Sequence, residues 1–498
     1  MRIVYVDIDS LRPDHLGCYG YPRNTSPNID QVAQRGVRLT QAYTSDAPCL
    51  PSRTALFRGR LGIQTGVVGH AGSGADPFPE GVTRRFRPLW GERCWMAQLR
   101  QAGYRTATVS TFGERHSAWP WYAGFNDVFN HGTRGRECAD EVWPYVERWL
   151  DERGRQEDWF LHVNFWDAHI PYRVPPAYGD PFADEPAPVW LTPETLEQRR
   201  QAYGPHSASE TWWTMWDVAD TQPRSRWPRM QAEIRSLADF KSFLDAYDTG
   251  IRWVDEHVGR IMNALADLGV LDDTLVVVSA DHGENLGELN VFGDHHTADL
   301  CTCHIPMIVA GPGVAGGRVD TDLHHHLDLA PTVLDFLGLR IPEDWDGSSF
   351  APSLRGGSPE TVRSSLVLSQ GAWSCQRAVR WDRWLLMRTY DPGLKELPPL
   401  ALYQVDDDPH EEHDLAASRP EIVHAGLAIL DEWYGEQMSR SESGLDPMWM
   451  VLKEGGPSFT RGRLQEYCRF LENTGRADAA QRLLAQATRR GIASGVRS

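Results

Sequence analysis

The sequence predicts an α/β fold: a large central mixed, mostly parallel sheet flanked by helices, plus a smaller α+β C-terminal domain with an antiparallel sheet. Three observations carry this expectation. Residues 3–8, 159–165 and 274–280 are short apolar runs, the pattern of strands buried on both faces in a parallel sheet. Each run ends on residues able to do chemistry, and open α/β sheets gather ligands at the carboxyl ends of their strands. Past residue 362, segments 365–369, 378–381 and 384–389 read instead as antiparallel strands.

At 498 residues the chain exceeds one compact core. We divide it into a main domain, 1–361, with a Trp/Pro-rich insertion at about 173–238, and a C-terminal subdomain, 362–498, ending in helices. Hydrophobic and charged fractions of 41% and 24% are those of a soluble globular protein. A net charge of −18 argues against nucleic acid as a partner, because phosphate backbones require a basic face. It leaves room for an anionic substrate in a locally basic pocket. The sequence shows neither a membrane-spanning stretch nor a secretory signal, which predicts no membrane partner and a cytoplasmic location. The eight cysteines are scattered without zinc-like spacing, as expected of reduced thiols.

In order along the chain, strand 3–8 delivers Asp9, and Thr25 to Asp30 starts a helix that ends at Gly36. Cys49-Leu50-Pro51-Ser52-Arg53 opens the next helix, where the N-terminal dipole favours an anion. Arg53, one turn on, has the fork geometry that pairs with anionic oxygens. Residues 62–74 form a Gly-rich loop lining the site, in which His70 is a weak candidate for substrate contact, set against the favoured reading of an ordinary loop histidine. A helix at 93–103 and a strand at 104–110 lead to Phe112-Gly113-Glu114-Arg115-His116. Strand 159–165 leads to Trp166-Asp167-Ala168-His169-Ile170-Pro171-Tyr172. The insertion is dense in Pro and Trp (Trp190, Trp212, Trp213, Trp216, Trp227), whose rings either stack on a substrate or pack the insertion itself. A long amphipathic helix at 240–268 precedes the strand that delivers Asp281-His282-Gly283-Glu284. Asp294-His295-His296 follows, then a strand from 306 and a helix at 327–338. His324-His325-His326 looks like a metal tract but sits just before that helix, and we place it outside the site. Helices at 419–438 and 461–489 close the chain. The last is a candidate for packing on a neighbouring subunit in a homo-oligomer.

Cys-x-Pro-Ser-Arg followed by an apolar turn and Gly59-Arg60 resembles the signature of type I, formylglycine-dependent sulfatases in the alkaline phosphatase-like superfamily. Asp9-Ser10-Leu11-Arg12-Pro13-Asp14, Pro27-Asn28-Ile29-Asp30, His169-Ile170-Pro171-Tyr172, Asp281-His282-Gly283-Glu284 and Leu402-Tyr403 with Asp408-Pro409 extend the resemblance over residues 1–420. The resemblance implies that Cys49 is oxidised by a formylglycine-generating enzyme. It also implies one divalent metal ion held by Asp9, Cys49, Asp281 and His282. Calcium is the ion implied by the family, whereas the mixed N/O set brought by His282 suits manganese, zinc or iron. Catalytic roles pass to Cys49, Arg53, His116 and His169, and substrate contacts to Arg115 and to one of His295 and His296. Two positions depart from the usual pattern: Ser10 replaces a second carboxylate, and Glu114 stands where a sulfate-binding lysine is common.

The expected activity is therefore that of an arylsulfatase-like sulfuric ester hydrolase acting on a small-molecule or saccharide sulfate ester. The alternatives are a phosphodiesterase or phosphonate monoester hydrolase using the same site, and a non-catalytic binding protein. The intact set Asp9, Cys49, Arg53, Asp281 and His282 argues against the last.

Overall fold

Asp9 and Asp281 meet because the strands that carry them are neighbours. In the computed structural model, which describes residues 1–79, 90–211, 227–358 and 362–490, β1 (Arg2–Ile8) is buried along almost its whole length. The other strands of its sheet are β2 (Gly36–Tyr43), β4 (Arg105–Val109), β5 (Asp127–Phe129), β6 (Trp159–Phe165), β7 (Thr274–Ser279), β8 (His304–Ala310), β9 (Arg318–Asp320) and β10 (His324–His325). Their order is β10-β2-β8-β7-β1-β6-β4-β5, with β9 also pairing with β2. β8 runs antiparallel to both its neighbours, β2 and β7, and the remaining pairs are parallel, giving the expected mixed, mostly parallel sheet. β1, β6 and β7 run side by side in one direction, with Asp7 level with both Asn164 and Ser279. The chain thus leaves all three strands at the same sheet edge, and Asp9, the 166–169 loop and Asp281 converge there.

Helices fix that edge from above and below. Helix α1 (Pro27–Arg35) has no cap from Ser26; instead Asp255, on the long helix Leu237–Asp267, accepts from Asn28 N and Ile29 N at 3.0 and 2.8 Å. The long helix starts a turn earlier than the periodicity suggested, because Ser236 caps it through Asp239 N. It lies against the loop after β6: a Cβ on Gly250 would stand 2.4 Å from Asp167 O. A helix at Ala139–Arg153, not foreseen from the sequence, packs on the long helix and carries Pro144 within it.

The second sheet is β14-β13-β12-β11-β3, formed by β3 (Asp46–Ala47), β11 (Ser365–Gln370), β12 (Cys375–Trp381), β13 (Trp384–Asp391) and β14 (Leu400–Gln404). It is antiparallel except where β11 pairs with β3, two residues before Cys49. The C-terminal region is thereby hydrogen-bonded to the segment that enters the Cys49 helix. Residues 461–489 form two helices, Leu464–Asn473 and Ala477–Arg489, rather than one. Their apolar face (Tyr467, Leu471, Ala480, Leu483) is covered by Tyr203 and Leu394 of the same chain, and Arg476 Nη2 donates to Glu210 at 2.6 Å. One face of the terminal helices therefore packs on the insertion of the same chain. No helix among the described residues is long and apolar enough to cross a membrane.

Burial raises the Asp255 carboxyl to about 6 despite its hydrogen bonds from Asn28 and Ile29. A carboxyl with a raised folded-state value stabilises fully below its unfolded value, and that contribution is lost as pH rises through 6. Asp255→Asn should therefore gain on the parent between pH 4 and 7, by on the order of 3 kcal/mol. Denaturant unfolding at several pH values checks this, and a pH-independent difference would rule it out.

Candidate active site

Helix α2 (Cys49–Arg58) is buried at every residue and begins at Cys49 itself. Its first turn is held on three sides. Leu50 N donates to His70 Nε2 at 3.3 Å, Ser52 Oγ donates to Asp281 O at 2.7 Å, and His326 Nε2 lies 2.8 Å from Ser52 O. Of the His324–His326 run, His326 is thus a prop for α2, while His324 pairs with Asp320. His70 is not an ordinary loop histidine: it touches the Cys49 turn, and its ring centre is 4.6 Å from that of His116. A Gly-rich loop directly after the Cys49 helix was the available signal. Cys49 Sγ is 3.1 Å from His282 Nε2. Burial, reinforced by Asp9 and Asp281, pushes the Cys49 thiol well above its ordinary value. As a cysteine it is a protonated, weak nucleophile.

Arg53 is the cation at the centre. Its Nε donates to Asp7 Oδ2 at 2.7 Å, and its Nη1 to Asp9 Oδ2 at 2.9 Å and Asp281 Oδ2 at 2.6 Å. The anionic oxygens it pairs with are the protein's own carboxylates. Asp7, passed over in favour of Asp9 from the sequence, is the third carboxylate and also accepts from His162. Ser10, in place of a second acid, donates to Asp9 Oδ1 at 3.1 Å while its backbone N–H reaches Asp281 Oδ1 at 3.3 Å. Burial opposes the charge on Asp9, but Arg53, His169 and His282 outweigh it and hold Asp9 below the usual carboxylate range. Asp281 goes the other way: burial and the neighbouring Asp9 and Asp7 raise it above the influence of Arg53.

One ligand atom each from Asp9, Cys49, Asp281 and His282 lies within 4.8 Å of the others, all four residues buried. With all three carboxylates ionised, one guanidinium would leave two negative charges unmatched, which a divalent ion would balance. The donor set therefore fits a metal, with a nitrogen from His282 among the oxygens. Gly283 allows His282 its place, since a Cβ there would stand 2.0 Å from Cys301 O.

The remaining histidines divide clearly. His169 turns Nδ1 to Ile170 O and leaves Nε2 3.9 Å from Asp9 Oδ1. His295 faces the centre, its ring 4.0 Å from that of His282. His296 does not: it stacks on Trp373 at 3.8 Å and joins His206 on Asp294 Oδ2. His116 Nε2 is buried without a hydrogen-bond partner. Arg115 lies over the Trp166 ring at 4.9 Å. Of the insertion's tryptophans, Trp190 stacks on His410 at 4.3 Å and Trp227 lies beneath Arg173, while Trp212, Trp213 and Trp216 fall outside the described residues.

A family model described as Sulfatase matches residues 2–339, and one described as N-sulphoglucosamine sulphohydrolase, C-terminal, matches residues 287–425. The chain is 23% identical to the N-acetylglucosamine-6-O-sulfatase of Bacteroides thetaiotaomicron, over 83% of this chain and 82% of that protein. It is 25% identical to human arylsulfatase A, over 85% and 86%. Among solved structures, BT4656 in complex with its substrate D-glucosamine-2-N,6-O-disulfate superposes with a TM-score of 0.70 at 20% identity, covering 90% of this chain and 99% of that one. The phosphonate monoester hydrolase of Agrobacterium radiobacter gives 0.62 at 21% identity, covering 88% and 96%.

Arg53→Met should destabilise the metal-free protein by about 3–5 kcal/mol, the usual effect of leaving buried charges uncompensated. Adding Asp7→Asn should recover part of that loss, because one carboxylate no longer needs a partner. A denaturation double-mutant cycle showing strict additivity would contradict the coupling.

Proposed function

The chain belongs to the sulfatase family, and from that premise we propose that it hydrolyses sulfate esters with residue 49 as nucleophile. The observation that carries the proposal is the convergence of Asp9, Cys49, Asp281 and His282 ligand atoms on one buried point beside Arg53. The match of Cys49 to the family's Cys-x-Pro-Ser-Arg signature supports its conversion to formylglycine. A divalent ion on this set would supply Lewis-acid activation of oxygen, and formylglycine a hydroxyl in place of the thiol.

The chain's own groups account for the rest. Arg53 holds Asp9 and Asp281 in place, so its contribution is orientation of the centre. His169, fixed through Nδ1, presents Nε2 to the centre, and we assign it the proton that the departing alcohol needs. His116 Nε2, unpartnered and adjacent to His70, is assigned the proton that leaves residue 49 as sulfate is released. His295, not His296, is assigned to the substrate anion. The sulfated amino sugars in the relatives' names, N-acetylglucosamine for one and D-glucosamine-2-N,6-O-disulfate for the other, support a saccharide ester as substrate. Ser10 and His282 favour one second reading, hydrolysis of phosphonate monoesters or phosphodiesters, in keeping with the likeness to phosphonate monoester hydrolase.

Parallel assays of an aryl sulfate and an aryl methylphosphonate decide between the readings. Sulfate turnover should dominate and fall by several orders of magnitude in Cys49→Ala. Peptide mass spectrometry should find residue 49 about 18 Da lighter than cysteine. Metal analysis should give one divalent ion per chain, lost in His282→Ala; two tightly bound ions would contradict the assignment. His169→Ala should slow a nitrophenyl ester modestly and an alkyl or sugar ester by roughly 10²–10⁴-fold, because only the basic alkoxide needs a proton to depart. Equal slowing of both esters would reduce His169 to a positioning residue, whereas His116→Ala should slow both alike.

A further inference from the structure

Two arginines beside His169 form no ion pair among the described residues, although Asp167 and Glu137 bear on Arg173 from farther off. Arg173 is 6% exposed, and its Nη1 reaches only backbone carbonyls, Trp166 O at 3.3 Å and His169 O at 3.5 Å. Its Nε and Nη2 are buried without any hydrogen-bond partner. Arg115 donates to Gly135 O at 3.2 Å and otherwise rests on the face of Trp166. Among the described residues, neither guanidinium has a carboxylate within ion-pair distance. Both nevertheless lie near the centre: the Arg115 charge bears on Asp9, Cys49, His116 and His169, and the Arg173 charge on His169. Burial, and then the like charge of Arg115, lowers Arg173 to about 10.

A buried guanidinium with open donors is costly unless something satisfies it. Structural arginines in this protein are satisfied: Arg53 by three carboxylates, Arg12 by Asp14 and Glu288. Arg173 differs from them in having two nitrogens left open. Its supported placement is beside His169, through the backbone carbonyls it reaches. Arg53 and His282 stand on the Asp9–Asp281 side, whereas Arg173 is bonded to the carbonyl of His169, the group assigned to the departing alcohol.

We propose that Arg115 and Arg173 form a subsite for a second anionic group, a carboxylate or a sulfur oxyanion, carried on the alcohol part of the ester. Planar, forked donors suit either group, and two guanidinium groups match its charge. The substrate class becomes esters of already anionic alcohols, such as acidic or multiply sulfated sugars. This rests on the sulfatase reading and on His169 marking the leaving-group side.

The test compares 3-carboxyphenyl, 3-sulfophenyl and 3-carbamoylphenyl sulfates, similar esters of which only the first two carry the second charge. The parent should prefer the charged esters by about 10- to 100-fold in kcat/KM, mostly through KM, as expected of charge-assisted hydrogen bonds. Which of the two is preferred identifies the anion. Arg173→Met and Arg173→Gln should collapse the ratio towards one, while Arg173→Lys should keep part of it. If these variants do not fold, stronger inhibition of the parent by 3-hydroxybenzoate than by 3-hydroxybenzamide supports the subsite, and equal inhibition overturns it. A parent ratio near one, or a ratio that survives Arg173→Met, also overturns it. So does an equal fall for charged and neutral esters, which would assign Arg173 to the reacting group. If no sulfate is hydrolysed but the matching methylphosphonates are, with the same preference, the sulfatase reading fails and the subsite stands.

Discussion

The guanidinium of Arg53 is the interaction on which the site depends. Asp7 and Asp9 come from β1 and the loop after it, Asp281 from the loop after β7, and all three are buried within reach of one cation. Without a counter-charge their mutual repulsion and desolvation would oppose bringing the two strand ends together. Arg53 sits one turn into α2, so the same helix that carries Cys49 also supplies the charge that assembles the centre. Position of Cys49 and position of the other metal-compatible groups are therefore mechanically linked.

That linkage extends to the C-terminal region. β3 runs into α2 and pairs with β11 of the second sheet. Trp373, between β11 and β12, stacks on His296, which shares Asp294 with His295. Glu210 in the insertion is paired with Arg476 between the last two helices. The smaller sheet and terminal helices hold the rear of the site and the loop over it. They supply none of the four metal-compatible groups but restrict how those groups can move.

Charge is distributed unevenly around the centre. On the Asp9–Asp281 side, carboxylates outnumber cations and call for a metal. On the His169 side, Arg115 and Arg173 lack carboxylate partners and call for an anion. The second anionic group of a doubly charged ester would meet the complementary sign on the His169 side.

Much of this was legible in the sequence. The strands at 3–8, 159–165 and 274–280 follow from local patterns, whereas Asp9, Cys49, Asp281 and His282 were singled out by the resemblance of contiguous motifs to the sulfatase family. An apolar run buried on both faces has one structural solution, and a motif such as Cys-x-Pro-Ser-Arg is contiguous. Four matters were decided only by tertiary structure. Asp7 became a partner of Arg53 because strand pairing set its depth. His70 reached Cys49 because a Gly-rich loop folded back. His295 and His296 took opposite roles because adjacent residues in an extended loop point apart, one to His282 and the other to Trp373. Arg173 acquired its significance from what it lacks, and the absence of a partner is a property of three-dimensional surroundings. Sequence spacing records which groups are available; burial and the matching of charges across distant segments decide what each of them faces.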